Sequence, residues 1–197
     1  EPTVVERKVY RRDRVGYIIG NSHLFIVPSN GGTVRQITSG DWTVGRSGYE
    51  WTPDSSHLVF SGNIEKMDPN FSGASNIYKV DVRSKEITQL SDEKGSWSNA
   101  SVSPDGKLII YTGSRYANLS FKTPEVRLSN IDGGVSTPLL IDPPKGPGKT
   151  YWAKNGKSVY FGMDSAGSTN IYNLDLDGNL TQLTEGRHRL SVSSVSD

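Results

Sequence analysis

The sequence predicts an all-β chain: a β-propeller fragment of four-stranded antiparallel blades, with three complete blades flanked by incomplete ones. Three observations lead there. Apolar residues make up 34% of the chain, with 21 Gly and 10 Pro, a balance that suits many short strands joined by turns. One corner recurs, as Trp51-Thr52-Pro53-Asp54, Val102-Ser103-Pro104-Asp105-Gly106 and Trp152-Ala153-Lys154-Asn155-Gly156, at spacings of 51 and 50 residues. Each corner is followed by the same order of strand signals, and a repeat near fifty residues points to a blade.

The corner has a turn mechanism. Pro presets φ, Asp or Asn binds local backbone, and Gly takes a left-handed exit. The strand before each corner is the innermost of its blade. The second strands are His57-Leu58-Val59-Phe60, Lys107 to Tyr111 and Lys157 to Phe161, short runs rich in β-branched and aromatic residues. Third strands follow at 76–80, 126–131 and 170–174, and fourth strands at 86–90, 136–140 and 179–183. Ahead of these, His23 to Val27 and Val34 to Thr38 repeat the last two strands of a unit. Phe25, Tyr78, Leu128 and Tyr172 are expected to share one third-strand position, at intervals of 53, 50 and 44. Leu190 to Val195 is expected to start another inner strand. The resulting division is an incomplete first blade with its lead-in over 1–46, blades over 47–91, 98–140 and 149–184, and the start of the next over 189–197. One blade cannot bury both faces alone, so stability is expected to be shared between neighbours.

Charge and composition exclude several roles. Lys plus Arg is 22 against 21 Asp plus Glu, with no run of one sign, so no nucleic-acid partner is expected. No stretch approaches the roughly 20 apolar residues of a membrane span. Cys is absent, which rules out disulfides and thiol nucleophiles and is compatible with the cytoplasm or the periplasm. The chain opens at Glu1 without a basic-then-apolar leader; the expectation is a removed leader or an excised segment.

Candidate chemistry is sparse. His23, His57 and His188 are the only histidines, and their scatter predicts no metal site. Asp54, Asp105 and Asn155 occupy one repeat position, the mark of a turn constraint. Asp175-Leu176-Asp177-Gly178-Asn179 has the composition of a calcium loop but lacks the later bidentate Glu and reads as a β-turn. No cofactor is expected. Trp51 and Trp152, like Tyr78 and Tyr172, are expected to pack between blades. Trp42 and Trp97 are placed in loops entering inner strands, as loop anchors or contacts to a partner or substrate.

Loop length supplies the signal that does not repeat. The second-to-third-strand link is short in the last unit, Gly162 to Thr169, but long over Ser61 to Ser75, with Met67, Pro69 and Phe71, and over Thr112 to Glu125, with Arg115, Tyr116 and Phe121. Both insertions belong on one rim. Their aromatic and cationic residues are expected to meet a peptide or a second domain, or to form ordinary surface loops. The candidate contacts are Trp42, Trp97, Phe71, Arg115, Tyr116 and Phe121.

The turn, the apolar strand, Asn76-Ile77-Tyr78-Lys79-Val80-Asp81 and Gln-Leu pairs such as Gln182-Leu183 before Thr184 together resemble the propeller repeats of TolB-type proteins. They equally resemble those of the amino-terminal domains of the prolyl oligopeptidase superfamily of serine peptidases. His23 to Pro28, Gly31-Gly32, Gln36-Ile37-Thr38, Gly40-Asp41 and Trp51 to Asp54 resemble the acylaminoacyl-peptidase and dipeptidyl-aminopeptidase branch. That resemblance implies a propeller that gates oligopeptide access to an α/β-hydrolase domain of the same protein and shapes its cavity. The nucleophile of that superfamily sits in a Gly-X-Ser-X-Gly elbow. Neither Gly45-Arg46-Ser47-Gly48 nor Gly95-Ser96-Trp97-Ser98-Asn99 has that spacing. The chain alone is therefore expected to lack peptidase activity, with catalysis in the parent. The alternatives are a TolB-like protein-binding propeller without enzyme activity and, with less support, a glycan-active propeller, for which no well-spaced carboxylate pair stands apart from the turns.

Overall fold

The computed structural model describes residues 4, 10–14, 16–17, 20–45, 48–64, 74–115, 122–141, 143 and 145–196. Alternating apolar runs become strands, and the repeated corners become hairpins. A hairpin of β1 (Arg11–Arg12) and β2 (Gly16–Tyr17) comes first, then β3 (Phe25–Ile26) paired with β4 (Arg35–Gln36). Three four-stranded antiparallel sheets follow. Blade 2 holds β5 (Glu50–Trp51), β6 (His57–Gly62), β7 (Asn76–Asp81) and β8 (Ile87–Gln89). Blade 3 holds β9 (Ser96–Val102), β10 (Leu108–Ser114), β11 (Glu125–Asn130) and β12 (Thr137–Leu140). Blade 4 holds β13 (Tyr151–Trp152), β14 (Ser158–Ser165), β15 (Ser168–Asp175) and β16 (Leu180–Gln182). We call β3 and β4 blade 1. No helix occurs among the described residues, and none is long and apolar enough to cross a membrane.

The corners fold by their side chains. Carboxylate or amide oxygens of Asp54, Asp105 and Asn155 accept the N–H of Ser56, Lys107 and Lys157 at 3.1, 3.1 and 2.9 Å. The next residue is left-handed in every case, with φ of 58° at Ser55, 74° at Gly106 and 69° at Gly156. Ser55 therefore adopts a backbone that Gly takes more cheaply. Asp175 organises its turn likewise, accepting Asp177 N and Asn179 N at 3.0 and 2.8 Å.

Strand pairing places alternate residues on opposite faces of each blade, and three apolar clusters lie between blades. Ile37, Trp42 and Val44 meet Leu58, Phe60, Tyr78 and Val80. Val59, Ile77 and Leu90 of blade 2 meet Trp97, Val102, Ile109 and Tyr111 of blade 3. Ile110, Val126 and Leu139 of blade 3 meet Trp152, Val159, Phe161, Tyr172 and Leu174 of blade 4. The core of this molecule is thus its seams.

The crossovers repeat as well. Ser75 donates to Gly95 O and accepts from Trp97 N, both at 2.9 Å, as β7 hands over to β9. Thr169 makes the same pair with His188 O and Leu190 N at 2.8 and 3.0 Å, so Leu190 enters beside blade 4 as Trp97 enters beside blade 2. Because successive strands are antiparallel, the first-to-second and third-to-fourth turns leave by one rim. The second-to-third links and the crossovers share the other.

Register corrects two alignments. Phe60 pairs with Tyr78 and Phe161 with Tyr172, but Tyr111 pairs with Arg127. Arg127, not Leu128, therefore holds the aromatic third-strand position in blade 3. The β10–β11 ladder is continuous, so the offset of one comes from the length of the link before β11. Trp51 and Trp152 also part ways. Trp152 is 8% exposed and its indole N–H donates to Ser101 O of blade 3 at 3.1 Å, whereas Trp51 is 44% exposed. The difference is the cover, since β9 runs over Trp152 and no strand among the described residues runs over Trp51.

Candidate functional site

The rim that carries the long β6–β7 and β10–β11 links is where the sequence places its contact residues. Phe71, Tyr116 and Phe121 lie outside the described residues, as does Ser47. Trp42 and Trp97 are not surface contacts. Trp97 lies inside β9 with no exposed surface, its indole N–H donating to Glu93 O at 2.7 Å. Trp42 is 9% exposed and stacks on Phe60 at 6.0 Å between ring centroids. Trp42 is the buried anchor of a crossover loop, one of the two roles expected of it, whereas Trp97 belongs to the inner strand itself.

Arg115 stands at the rim end of β10 and belongs to a closed ring of four charges. Its Nε lies 3.2 Å from Glu125 Oε1 and 3.5 Å from Glu93 Oε2. Arg127 reaches the other oxygens of the same two carboxylates, Glu125 Oε2 at 3.2 Å and Glu93 Oε1 at 3.3 Å. Glu125 and Arg127 are two apart on β11 and so share its face toward blade 2. Glu93 comes from the crossover between blades 2 and 3. Arg127 is 2% exposed; its Nε donates to Ser136 Oγ at 2.9 Å and its guanidinium sits 5.4 Å from the Trp97 ring centroid. Ser136 in turn donates through its hydroxyl and its N–H to Asp92 at 2.5 and 3.0 Å. Burial pushes the Asp92 carboxyl up, but these two bonds prevail and hold it below the usual range. The Tyr111 hydroxyl is buried near Ser136 and Arg127 without a hydrogen bond of good geometry, and its burial raises its pKa. Sequence reasoning missed Arg127, Glu93 and Glu125. The available signal was a lone Arg between valine and leucine where the other blades place Tyr.

The inner strands carry a second polar feature. Glu50, on β5, lies beside the Ser101 hydroxyl and the Val102 N–H of the next blade, both of which favour its charged form. Ser103 N donates to Leu108 O inside the sheet, so the Val102 N–H points to the unpaired inner edge of β9, the side on which Glu50 lies. Burial pushes the Glu50 carboxyl up, outweighing those two groups and the nearby Lys149.

No described serine is set up for attack. Ser98 lies in β9, opposite Thr112. His23 contacts Gly40 O and Thr38, and His188 contacts Asn170. Ser56 Oγ does come within 2.6 Å of His57 Nδ1, and His57 Nε2 lies 3.7 Å from Asp81. That serine gives its single proton to Asp54 Oδ2 at 2.7 Å. Asp54 is ionised at neutral pH, since the Ser56 and Thr52 hydroxyls lower its pKa to about 2. The imidazole therefore donates to Ser56 and cannot act as its base. Among the described residues, no group of three or more His, Asp or Glu side chains is arranged to hold a metal ion.

A model of the dipeptidyl peptidase IV (DPP IV) N-terminal region matches residues 12–118, more than half of the chain. An uncharacterized protein of Agrobacterium fabrum is 26% identical over 113 residues, which are 57% of this chain and 35% of that protein. Among solved structures, a putative TolB from Agrobacterium tumefaciens superposes with a TM-score of 0.61 at 22% identity, covering 81% of this chain and 55% of that one. A puromycin hydrolase superposes with a TM-score of 0.62 at 18% identity, covering 89% and 30%. The chain thus spans about a third of the curated relative it matches and about half of the TolB structure. The structural likenesses show the propeller fold.

Proposed function

The chain belongs to the family of dipeptidyl peptidase IV N-terminal regions, and on that premise we propose that it is the non-catalytic propeller portion of a serine peptidase. Its role is to gate oligopeptides on their way to a separate α/β-hydrolase domain and to shape the substrate cavity, in a parent of acylaminoacyl-peptidase or dipeptidyl-aminopeptidase type. The family match carries this reading. Two features of the chain support it: the long second-to-third-strand links share one rim, and the described serines and histidines form no nucleophile–base pair. A rigid disc with adaptable loops on one rim suits selection by size, because loops reshape without disturbing the seams.

Reading the parent frame past Asp197 tests it. Further blade repeats followed by a Gly-X-Ser-X-Gly elbow support the reading, and a stop codon directly after Asp197 contradicts it. A TolB-like binding propeller without enzyme activity is the second reading, since TolB structures share the fold. It predicts an accessory domain upstream, no hydrolase domain downstream, and a protein partner recovered by crosslinking.

A further inference from the structure

The charges of the loop-bearing rim are used unevenly. Over blades 2 and 3, Arg115 and Arg127 are closed into a ring with Glu93 and Glu125. Over blade 4, Lys145 and Arg189 face a groove of about 380 Å³ built on the Ala166-Gly167 turn. Among the described residues, neither of these two side chains has a hydrogen-bond or ion-pair partner, whereas the groove's single carboxylate, Asp164, is engaged by the Thr169 hydroxyl at 2.5 Å. The two cations come from different crossovers, Lys145 before β13 and Arg189 after β16. The folded crossovers therefore bring them together, and sequence proximity does not. Arg189 is fixed at its backbone by the bridge to Thr169.

We propose that this groove is a binding site for a peptide carboxylate, with Arg189 as the forked donor and Lys145 as the supporting point charge. A guanidinium matches a carboxylate in two parallel hydrogen bonds, and an ammonium adds attraction without fixed geometry. The volume lies in the ~300–1,000 Å³ range of small-ligand clefts. Asp164 leaves the groove with one net positive charge, which favours a monoanion over a doubly charged phosphate. The small side chains of Ala166 and Gly167 leave the approach to the cations open. The choice of a peptide as the carrier rests on the peptidase reading above; the carboxylate chemistry does not.

The test titrates the 197-residue chain with three peptides and reads Gly167 and Arg189 amide shifts by NMR. The peptides are acetyl-Ala-Ala-Ala with a free carboxylate, its carboxamide, and acetyl-Ala-Glu-Ala carboxamide. At least one acidic peptide is expected to bind about tenfold or more tighter than the neutral carboxamide, and the better of the two identifies the source as a chain terminus or an acidic side chain. Arg189→Ala is expected to remove about tenfold or more of that affinity, with Arg189→Lys recovering part of it, and raising NaCl from about 50 to about 500 mM should weaken binding. An unchanged amide spectrum elsewhere shows that the variants are folded. Equal binding of all three peptides, or full affinity in both Arg189→Ala and Lys145→Ala, overturns the proposal. Because binding is read on this chain alone, that result leaves the peptidase reading standing. A parent without a hydrolase domain, conversely, removes the peptidase reading and leaves the groove's preference for carboxylate to be decided by the titration.

Discussion

Blades 2 and 3 meet across a seam with charge at its rim end, and blades 3 and 4 meet across one that is aromatic and aliphatic, though both use the same positions of one repeat. In blade 4 the second- and third-strand partners Phe161 and Tyr172 stack at 6.3 Å and 18°. In blade 2 Phe60 and Tyr78 do the same at 5.7 Å and 29°. In blade 3 Tyr111 has Arg127 beside it and turns edge-on to Trp97 at 5.3 Å and 82°. One exchange, aromatic for Arg, carries the rest with it. A buried guanidinium needs counter-charge, supplied by Glu125 two residues earlier and by Glu93 across the seam, and those carboxylates then hold Arg115. A repeat position therefore conserves a volume to be filled, while the chemistry that fills it is set by what the neighbouring blade provides.

The largest effect that would break this comparison is at Arg127. Arg127→Ala strands two carboxylates at the seam and is expected to cost about 3–5 kcal/mol in denaturant unfolding, whereas Arg127→Met combined with Glu93→Gln and Glu125→Gln, which leaves no carboxylate unpaired there, is expected to return most of that, because replacing a whole buried ion pair by packed neutral side chains costs little. Equal losses in both variants would show that charge pairing at this seam contributes more than shape. Tyr172→Ala, in the aromatic seam, is expected to cost about 3 kcal/mol through lost packing and a residual cavity. A loss below about 0.5 kcal/mol would show that the ring is not buried in the folded protein. The two equivalent indoles sharpen the point: Trp152→Ala is expected to cost about 3–5 kcal/mol and Trp51→Ala about 1 kcal/mol, because only Trp152 is covered.

Smaller effects follow from exposure. Arg115→Ala is expected to cost about 0–1 kcal/mol, since its side chain is 39% exposed and solvent screens the pairs it makes. At the inner edge, Glu50 has a carboxyl whose pKa is raised in the fold. The folded state then favours the protonated form, so the stabilisation is present at low pH and is lost as pH rises from the unfolded value through the folded one. Glu50→Gln, which keeps an acceptor and removes the charge, should raise the melting temperature at pH 7 and lose that advantage in acid. Parallel melting curves for the two proteins across pH would contradict the assignment.

Much of the fold was legible because a turn repeats in sequence when it repeats in space. Asp54, Asp105 and Asn155 announce themselves by spacing and do the same backbone work. What stayed illegible were relations between blades. The length of the link before β11 decides which residue meets Tyr111, with no mark in the strand's own sequence. Burial of Trp42 and Trp97 depends on the sheets that flank them in space, which a residue's own sequence neighbours do not reveal. The charge ring joins a crossover, a strand end and two interior residues, and the groove of Lys145 and Arg189 joins two crossovers. Contacts of that kind become visible only when the blades are assembled.

On the proposed function, this propeller positions and admits substrate without cutting it. The direct measurement is peptide hydrolysis by purified residues 1–197, using acylated and free-amino-terminal peptides, beside the full parent protein. Turnover is expected from the parent and none from the chain alone, because hydrolysis needs a nucleophile aligned with a base and oxyanion donors. Turnover by the purified chain that persists after contaminants are removed and is lost in Ser47→Ala, Ser56→Ala or Ser98→Ala would contradict it.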